Sequence, residues 1–227
     1  MYFLLIILLI LLQINLKSQT VLKTRDVVTG LDTPWEILWG PDNYIWMTER
    51  YGRVSRVNPT TGEVTEILRI PEVLEDGERG LMGMVLHPQF FSPVPEIQAY
   101  PYIYLIYNNG TKADSKVKIV RYTYIDNKLD SPLVIMKDIP GAWNHDGSRL
   151  WIDPNDWTLY VTMGDAAVQD RAQNLSSLNG KILRMNLDGS IPANNPYSNS
   201  YVWSWGHRNP QGLVVAKGIM YSSEHGP

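Results

Sequence analysis

A histidine set between a glycine turn and an apolar strand has the chemistry of a base. His145 stands in Pro140-Gly141-Ala142-Trp143-Asn144-His145-Asp146-Gly147-Ser148-Arg149-Leu150. Imidazole titrates near neutrality and can take a proton from a substrate hydroxyl. Asn144 and Asp146 flank it and could orient it or tune its basicity; a purely structural histidine is the competing reading. A second cluster, Trp205-Gly206-His207-Arg208-Asn209-Pro210-Gln211-Gly212-Leu213, offers the Arg208 guanidinium. This fixed charge and planar fork of donors suits quinone or carboxylate oxygens. Asn209 adds a donor and an acceptor. The alternative is a turn in which Arg208 pairs with a backbone carbonyl. Glu224-His225-Gly226-Pro227 presents main-chain carbonyls of the hard-oxygen kind that calcium takes. Asp76-Gly77-Glu78-Arg79-Gly80-Leu81-Met82-Gly83-Met84 has glycines that let backbone approach a ligand, or that simply connect two sheets. No strand-to-helix crossover frames it, so it is no dinucleotide fingerprint.

Short strands and turns must carry these clusters. Val27-Val28, Ile45–Thr48, Val54–Val57, Val64–Ile67, Tyr102–Tyr107 and Ile119–Tyr124 are β-rich runs. Pro41-Asp42-Asn43, Asn58–Gly62, Asp126-Asn127, Pro154-Asn155-Asp156 and Asp188-Gly189 punctuate the chain as turns. No long helical period is present, which predicts an all-β body. One unit runs from Trp39 to Asn58 and a second from Trp151 to Asn186. Weaker copies begin at Leu86 and Gly212. The shared grammar is strand, Pro/Asp/Asn turn, strand, acidic end, then Gly-x-Val/Ile-x-Arg-Val/Met-Asn. The turns recur every roughly 45 to 65 residues, the spacing of β-propeller blades with loop insertions. About three to four blades fit. The last copy is short, which predicts a sheet edge left open and a chain that is a fragment.

Composition narrows the function classes. The 227 residues carry a formal charge of -3 and no basic run, so no nucleic-acid footprint is present. With no cysteine, disulfides and thiolate metal sites are excluded. The 8 Trp and 13 Tyr against 3 Phe suit sheets with wet or sugar-facing surfaces, although β-propensity explains most of that bias. Phe3–Leu12 is an apolar run of signal-peptide length, too short to span a bilayer. Ser18 is a plausible small residue before a cut, although no basic residue precedes the run. Residues 1–19 are thus read as an export signal and 20–227 as the mature body, periplasmic or secreted, with no stable membrane insertion. A retained anchor is the alternative. The sequons Asn109-Gly110-Thr111 and Asn174-Leu175-Ser176 match the glycosylation pattern.

The clusters occur in a definite order. Glu78-Arg79-Gly80-Leu81-Met82-Gly83 precedes His87-Pro88-Gln89-Phe90. Then come Asn144–Leu150, Gly180-Lys181-Ile182-Leu183-Arg184-Met185-Asn186-Leu187-Asp188-Gly189-Ser190-Ile191-Pro192, Gly206–Leu213 and Glu224–Pro227. That order resembles the glucose/sorbosone dehydrogenase family, which includes soluble pyrroloquinoline quinone (PQQ) glucose and aldose sugar dehydrogenases. The resemblance covers nearly all of the chain after about residue 25. It implies a six-bladed propeller that oxidises the anomeric hydroxyl of aldoses to lactones and passes electrons to an external acceptor. It implies that His145 is the base, that Arg208 polarises a quinone oxygen, and that Asn209 and Asn144 contact PQQ. Gly226 and Pro227 are implied carbonyl donors to Ca2+. Glu78, glutamine in some relatives, and Asp170 or Gln169 are implied sugar contacts. In the family the second half of the propeller supplies further PQQ contacts. Activity is therefore expected of a longer parent and not of this piece alone. A non-catalytic extracellular propeller that binds carbohydrate or protein is the alternative. A lactonase-type calcium propeller would want converging carboxylates, and the sequence shows no such set.

Overall fold

In a computed structural model, which describes residues 22–91 and 98–226, the turn residues act first. Asn58 Oδ1 accepts the Thr60 and Thr61 amides at 2.9 and 3.1 Å and reverses the chain. Asp188 Oδ1 does the same for Ser190 at 2.9 Å. Asp126 and Asn127 both adopt positive φ, 48° and 63°, as a tight two-residue hairpin requires. Between such turns lie β1 Pro34–Trp39, β2 Ile45–Glu49, β3 Arg53–Val57 and β4 Val64–Arg69, an antiparallel sheet in chain order. β5 Leu81–Leu86, β6 Tyr102–Gly110, β7 Ser115–Ile125 and β8 Lys128–Pro140 form a second. β9 Leu150–Ile152, β10 Thr158–Met163, β11 Lys181–Asn186 and β12 Val202–Trp205 form a third. β13 Pro210–Ala216 and β14 Ile219–Glu224 pair as a two-stranded hairpin.

The leading strands stand side by side: β1 beside β5, β5 beside β9, β9 beside β13. This is the radial arrangement of propeller blades, three of four strands and one of two among the described residues. Gly83 in β5 shows how closely blades approach, since a Cβ there would lie 2.1 Å from the Ser148 carbonyl oxygen. Strand β6 is buried on both faces, and residue parity sorts its side chains. Ile103, Leu105 and Tyr107 join Trp46, Val54 and Phe90 in the core shared with the first blade. Tyr104 and Ile106 join Leu159, Val161, Met163, Leu183 and Met185 in the core shared with the third. A strand covered on both sides must be apolar at nearly every position, which is why Tyr102–Tyr107 reads as a continuous run.

One expectation changes. Val27-Val28 forms no strand, and residues 22–33 run as irregular backbone ahead of β1. The body also contains one helical turn, α1 Asp170–Gln173, too short to leave a period in the sequence. No described helix is long and apolar enough to cross a membrane. Residues 1–19, read as an export signal, lie outside the described residues, as does Pro227.

The repeat grammar has a physical basis. In the first blade the turn carboxylate of Asp42 accepts the Trp46 indole N–H at 2.9 Å and pairs with Arg56 on β3. In the third, Asp156 pairs with Arg184 on β11 at 2.7 Å. The Asp of the turn and the Arg of the third strand are thus two halves of one tie.

A buried carboxyl joins the second and third blades. Asp146, 3% exposed, accepts Asn108 Nδ2 from β6 at 2.7 Å and the Ala142 amide at 3.0 Å. Burial pushes its carboxyl up to about 7. The native state therefore holds a proton that the unfolded chain has released once pH exceeds the ordinary aspartate value. Asp146 costs nothing at low pH and becomes destabilising as pH rises toward and through 7. Asp146→Asn should cancel that slope. Between pH 5 and pH 7.5 the stability difference, variant minus wild type, should move in the variant's favour by about 1–3 kcal/mol, read by denaturant unfolding.

Candidate active site

One rim of the blades collects the loops that precede β5, β9 and β13. It also collects the segments that follow β10 and β14. Backbone and side-chain hydrogen bonds stitch them together. The Glu78 amide donates to the Trp143 carbonyl at 2.7 Å. Glu78 Oε2 accepts the His145 amide at 3.1 Å and is 3.5 Å from Asn209 Nδ2. Asn209 Oδ1 accepts the Gly147 amide at 3.1 Å. Glu78, His145 and Asn209 come from three successive blades, and the structure brings them together. The loop bearing Glu78 is itself fixed from the first blade, where Arg50 donates to the Gly77 and Arg79 carbonyls.

His145 is 8% exposed and has φ +60°, a left-handed conformation that costs energy outside glycine. Its main chain is pressed against Gly164, where a Cβ would lie 1.9 Å from the His145 carbonyl oxygen. The Ala166 amide donates to that oxygen at 3.0 Å. This packing holds the unusual backbone and aims the ring at Asp165. His145 Nδ1 is 3.0 Å from Asp165 Oδ1, and Asp165 is 2% exposed. An ionised carboxylate can only accept, so Nδ1 carries the hydrogen and Nε2 presents the lone pair. Among the described residues Nε2 has no protein partner.

Asp165 is the residue that reading the sequence missed. Asp146, expected to flank and tune the imidazole, turns away to Asn108 and Ala142 instead. The positive φ of His145 and of Gly147, +64°, reverses the chain, so neighbours in sequence face different surroundings. Asn144, the other flanking residue, keeps Oδ1 buried with no partner among the described residues. The signal for Asp165 was present in the repeat, as the acidic end of the second strand.

Arg208 stands between this pair and the end of β14. Its carbonyl accepts the Asp165 amide at 2.7 Å. Its Nη1 donates to the His225 carbonyl at 2.8 Å, the pairing that the structural alternative foresaw. The guanidinium lies against Gly226, which has φ +77°. Asp165, Gln169, Ala172, Gly206, His207 and Arg208 line an open cleft of about 220 Å³. Of the two alternatives for the sugar contact, Gln169 lines this cleft. Asp170 is exposed at the start of α1 and does not. Lys181 anchors that turn: its buried ammonium donates to the Arg171, Ala172 and Asn179 carbonyls at 2.8, 3.0 and 2.8 Å. A larger cleft of about 710 Å³ lies by the β9–β10 and β13–β14 turns, at the opposite end of the blades. It contains none of these groups.

The donors present suit PQQ, an anionic quinone. Arg208 supplies a cation beside the cleft, whereas the unpartnered atom of Asn144 is its buried Oδ1, an acceptor that would need a donor from the ligand. Asn209 keeps a donor held only at 3.5 Å. Among the described residues no cluster of three or more acidic or histidine side chains could hold a metal. Calcium would depend on main-chain oxygens. The Gly226 carbonyl is one candidate, and Pro227 lies outside the described residues.

Residues 31–227 match the glucose/sorbosone dehydrogenase family. Quinoprotein glucose dehydrogenase B of Acinetobacter calcoaceticus is 37% identical over 88% of this chain and 48% of its own length. The PQQ-bound aldose sugar dehydrogenase of Streptomyces coelicolor superposes with TM-score 0.79 at 32% identity, over 89% of this chain and 59% of that one. The soluble aldose sugar dehydrogenase of Escherichia coli, in its apo form, gives TM-score 0.75 at 28% identity, over 87% and 58%. The chain spans about half the length of the curated relatives it matches. With residues 31–227 matched, this chain belongs to the glucose/sorbosone dehydrogenase family.

Proposed function

We infer that the protein carrying this chain oxidises the anomeric hydroxyl of aldose sugars to the lactone, with PQQ as redox cofactor. The observation that carries this reading is the 3.0 Å His145–Asp165 hydrogen bond beside Arg208. It is joined by relatives named as quinoprotein and aldose sugar dehydrogenases. PQQ, when bound, would supply the hydride acceptor that no amino-acid side chain can be. His145 Nε2 takes the proton of the anomeric hydroxyl, which turns the anomeric carbon into a stronger hydride donor. Asp165 fixes the imidazole tautomer and stabilises the imidazolium that results. Arg208 holds a fixed positive charge where an oxygen of the bound quinone would become negative. Asn144 and Asn209 complete the polar wall. Glu78 keeps one oxygen on the His145 amide and offers the other to a sugar hydroxyl. Gln169, rather than Asp170, is the further polar contact on this side of the cleft.

The carbonyls of Gly226 and Pro227 would hold Ca2+, which acts as a template and Lewis acid for the cofactor. Electrons leave to an external acceptor. The reading includes export by residues 1–19, so the reaction runs in the periplasm or outside the cell.

The full-length protein that carries this chain, purified and supplied with PQQ and calcium, should reduce an artificial dye when given an aldose, and a chelator should suppress the reaction. No dye reduction with any aldose tried would reject the reading. His145→Ala should lower kcat by about 1,000-fold and leave PQQ binding within a few-fold, since general-base catalysis is worth factors of that order. Asp165→Asn keeps the ring in place and loses the tautomer control. Its kcat should fall by about 100-fold or more, with aldose KM nearly unchanged, in steady-state kinetics.

A further inference from the structure

Glu224, at the end of β14, makes more contacts than a turn residue requires. Its Oε1 accepts the backbone amides of Arg208 and of Asn209, the latter at 3.2 Å. Its Oε2 is 3.1 Å from His207 Nδ1, and His207 Nε2 is 2.8 Å from Ser204 Oγ. The zipper continues beyond the carboxylate. The His225 amide donates to the Asn209 carbonyl at 3.1 Å, and Arg208 Nη1 donates back to the His225 carbonyl at 2.8 Å.

We propose that Glu224 is a positioning residue, a carboxylate clamp that sets the Arg208 guanidinium beside the cleft and holds Asn209 against Gly147 and Glu78. The argument is one of rotational freedom. An arginine side chain on a free loop spreads its charge over many rotamers and gives little to a fixed ligand oxygen. Two amides of adjacent residues held by one oxygen fix the main chain at 208–209 and the point from which the guanidinium starts. Hydrogen bonds to a charged acceptor are the strong kind. His207 and Ser204 keep the carboxylate from swinging away. His207 has little else to do: its ring is spent on Glu224 and Ser204.

The proposal rests on the PQQ reading for the purpose of the clamp, and its test separates the two. Glu224→Ala, Glu224→Asp and Glu224→Gln are compared with wild type. Hydrogen exchange at the Arg208 and Asn209 amides reads the clamp directly, without cofactor. PQQ titration and steady-state kinetics read its consequence. In Glu224→Ala the two amides should lose protection. The Kd for PQQ should rise by about 10- to 100-fold, the usual effect of removing a partner one step behind a ligand contact. Its kcat should fall while aldose KM changes less than about twofold, a split that general loss of structure would not give. Glu224→Asp, shorter by one methylene, should show the same losses in smaller measure and serves if the alanine variant fails to fold. Glu224→Gln should stay within about threefold of wild type, because its carbonyl still accepts both amides. Its NH₂ can donate to His207 Nδ1 if the imidazole shifts its hydrogen to Nε2 and donates to Ser204. Retained amide protection in both Glu224→Ala and Glu224→Asp, or lost protection with unchanged PQQ Kd, overturns the proposal. A wild-type protein that binds no PQQ rejects the functional reading alone; the two amides still decide whether the clamp exists.

Discussion

The loops at the functional rim depend on one repeated contact. A polar side chain at the end of a blade's second strand holds the loop that leads into the same blade's first strand. In the first blade, Glu49 Oε1 accepts the Asp32 amide at 2.8 Å. In the second, Asn108 Oδ1 accepts the Gly80 amide at 3.2 Å while its Nδ2 reaches Asp146. In the third, Asp165 holds the His145 ring at 3.0 Å. In the last, Glu224 holds the amides of Arg208 and Asn209. A loop over a strand end has backbone amides with no sheet partner, and leaving them unpaired in a buried place is costly. The polar side chain at that strand end answers a structural problem that the described blades share.

The site is a variation on that constraint. In the first blade the carboxylate is neutralised by Arg53 and has no further task. In the third the same position holds an imidazole instead of an amide, and fixing a loop becomes fixing a tautomer. In the last the held amides belong to a residue with a guanidinium. The chemistry therefore needs no new scaffold, only different side chains on loops already pinned. This also explains why a left-handed histidine persists. Its strain is borne by the Gly164 contact and by the bonds of Glu78 and Ala166 to its main chain.

The sheets were legible because their signals are local. Turn residues such as Asn58, Asp126-Asn127 and Asp188 act within two or three positions. The continuous apolar run of β6 announces burial on both faces. The four-blade grammar was visible in the recurrence of turn, acidic end and Gly-x-Val/Ile-x-Arg. The meaning of its acidic end was not, because Asp165 meets His145 only after the blade has folded back on itself. Adjacency in sequence favoured Asp146, which two positive-φ residues then turn the other way. The same limit applies to Gln169 and Asp170. A four-residue helix decides which of them faces the cleft, and so short an element has no period to read.

Charge at the rim is arranged in pairs that do not cancel where a reaction would need them. Glu224 answers the amides of Arg208 and the ring of His207 rather than the guanidinium. The guanidinium meets a neutral carbonyl, that of His225. Asp165 likewise answers Nδ1 of the His145 ring. An arginine locked to a carboxylate would have spent its field before any ligand arrived, and a histidine without one would have no fixed tautomer. The Arg208 guanidinium therefore stands beside the cleft with its charge uncancelled by a carboxylate. Preorganised charge in a partly dry site is worth more than the same charge in water, because nothing has to reorient when the reaction begins.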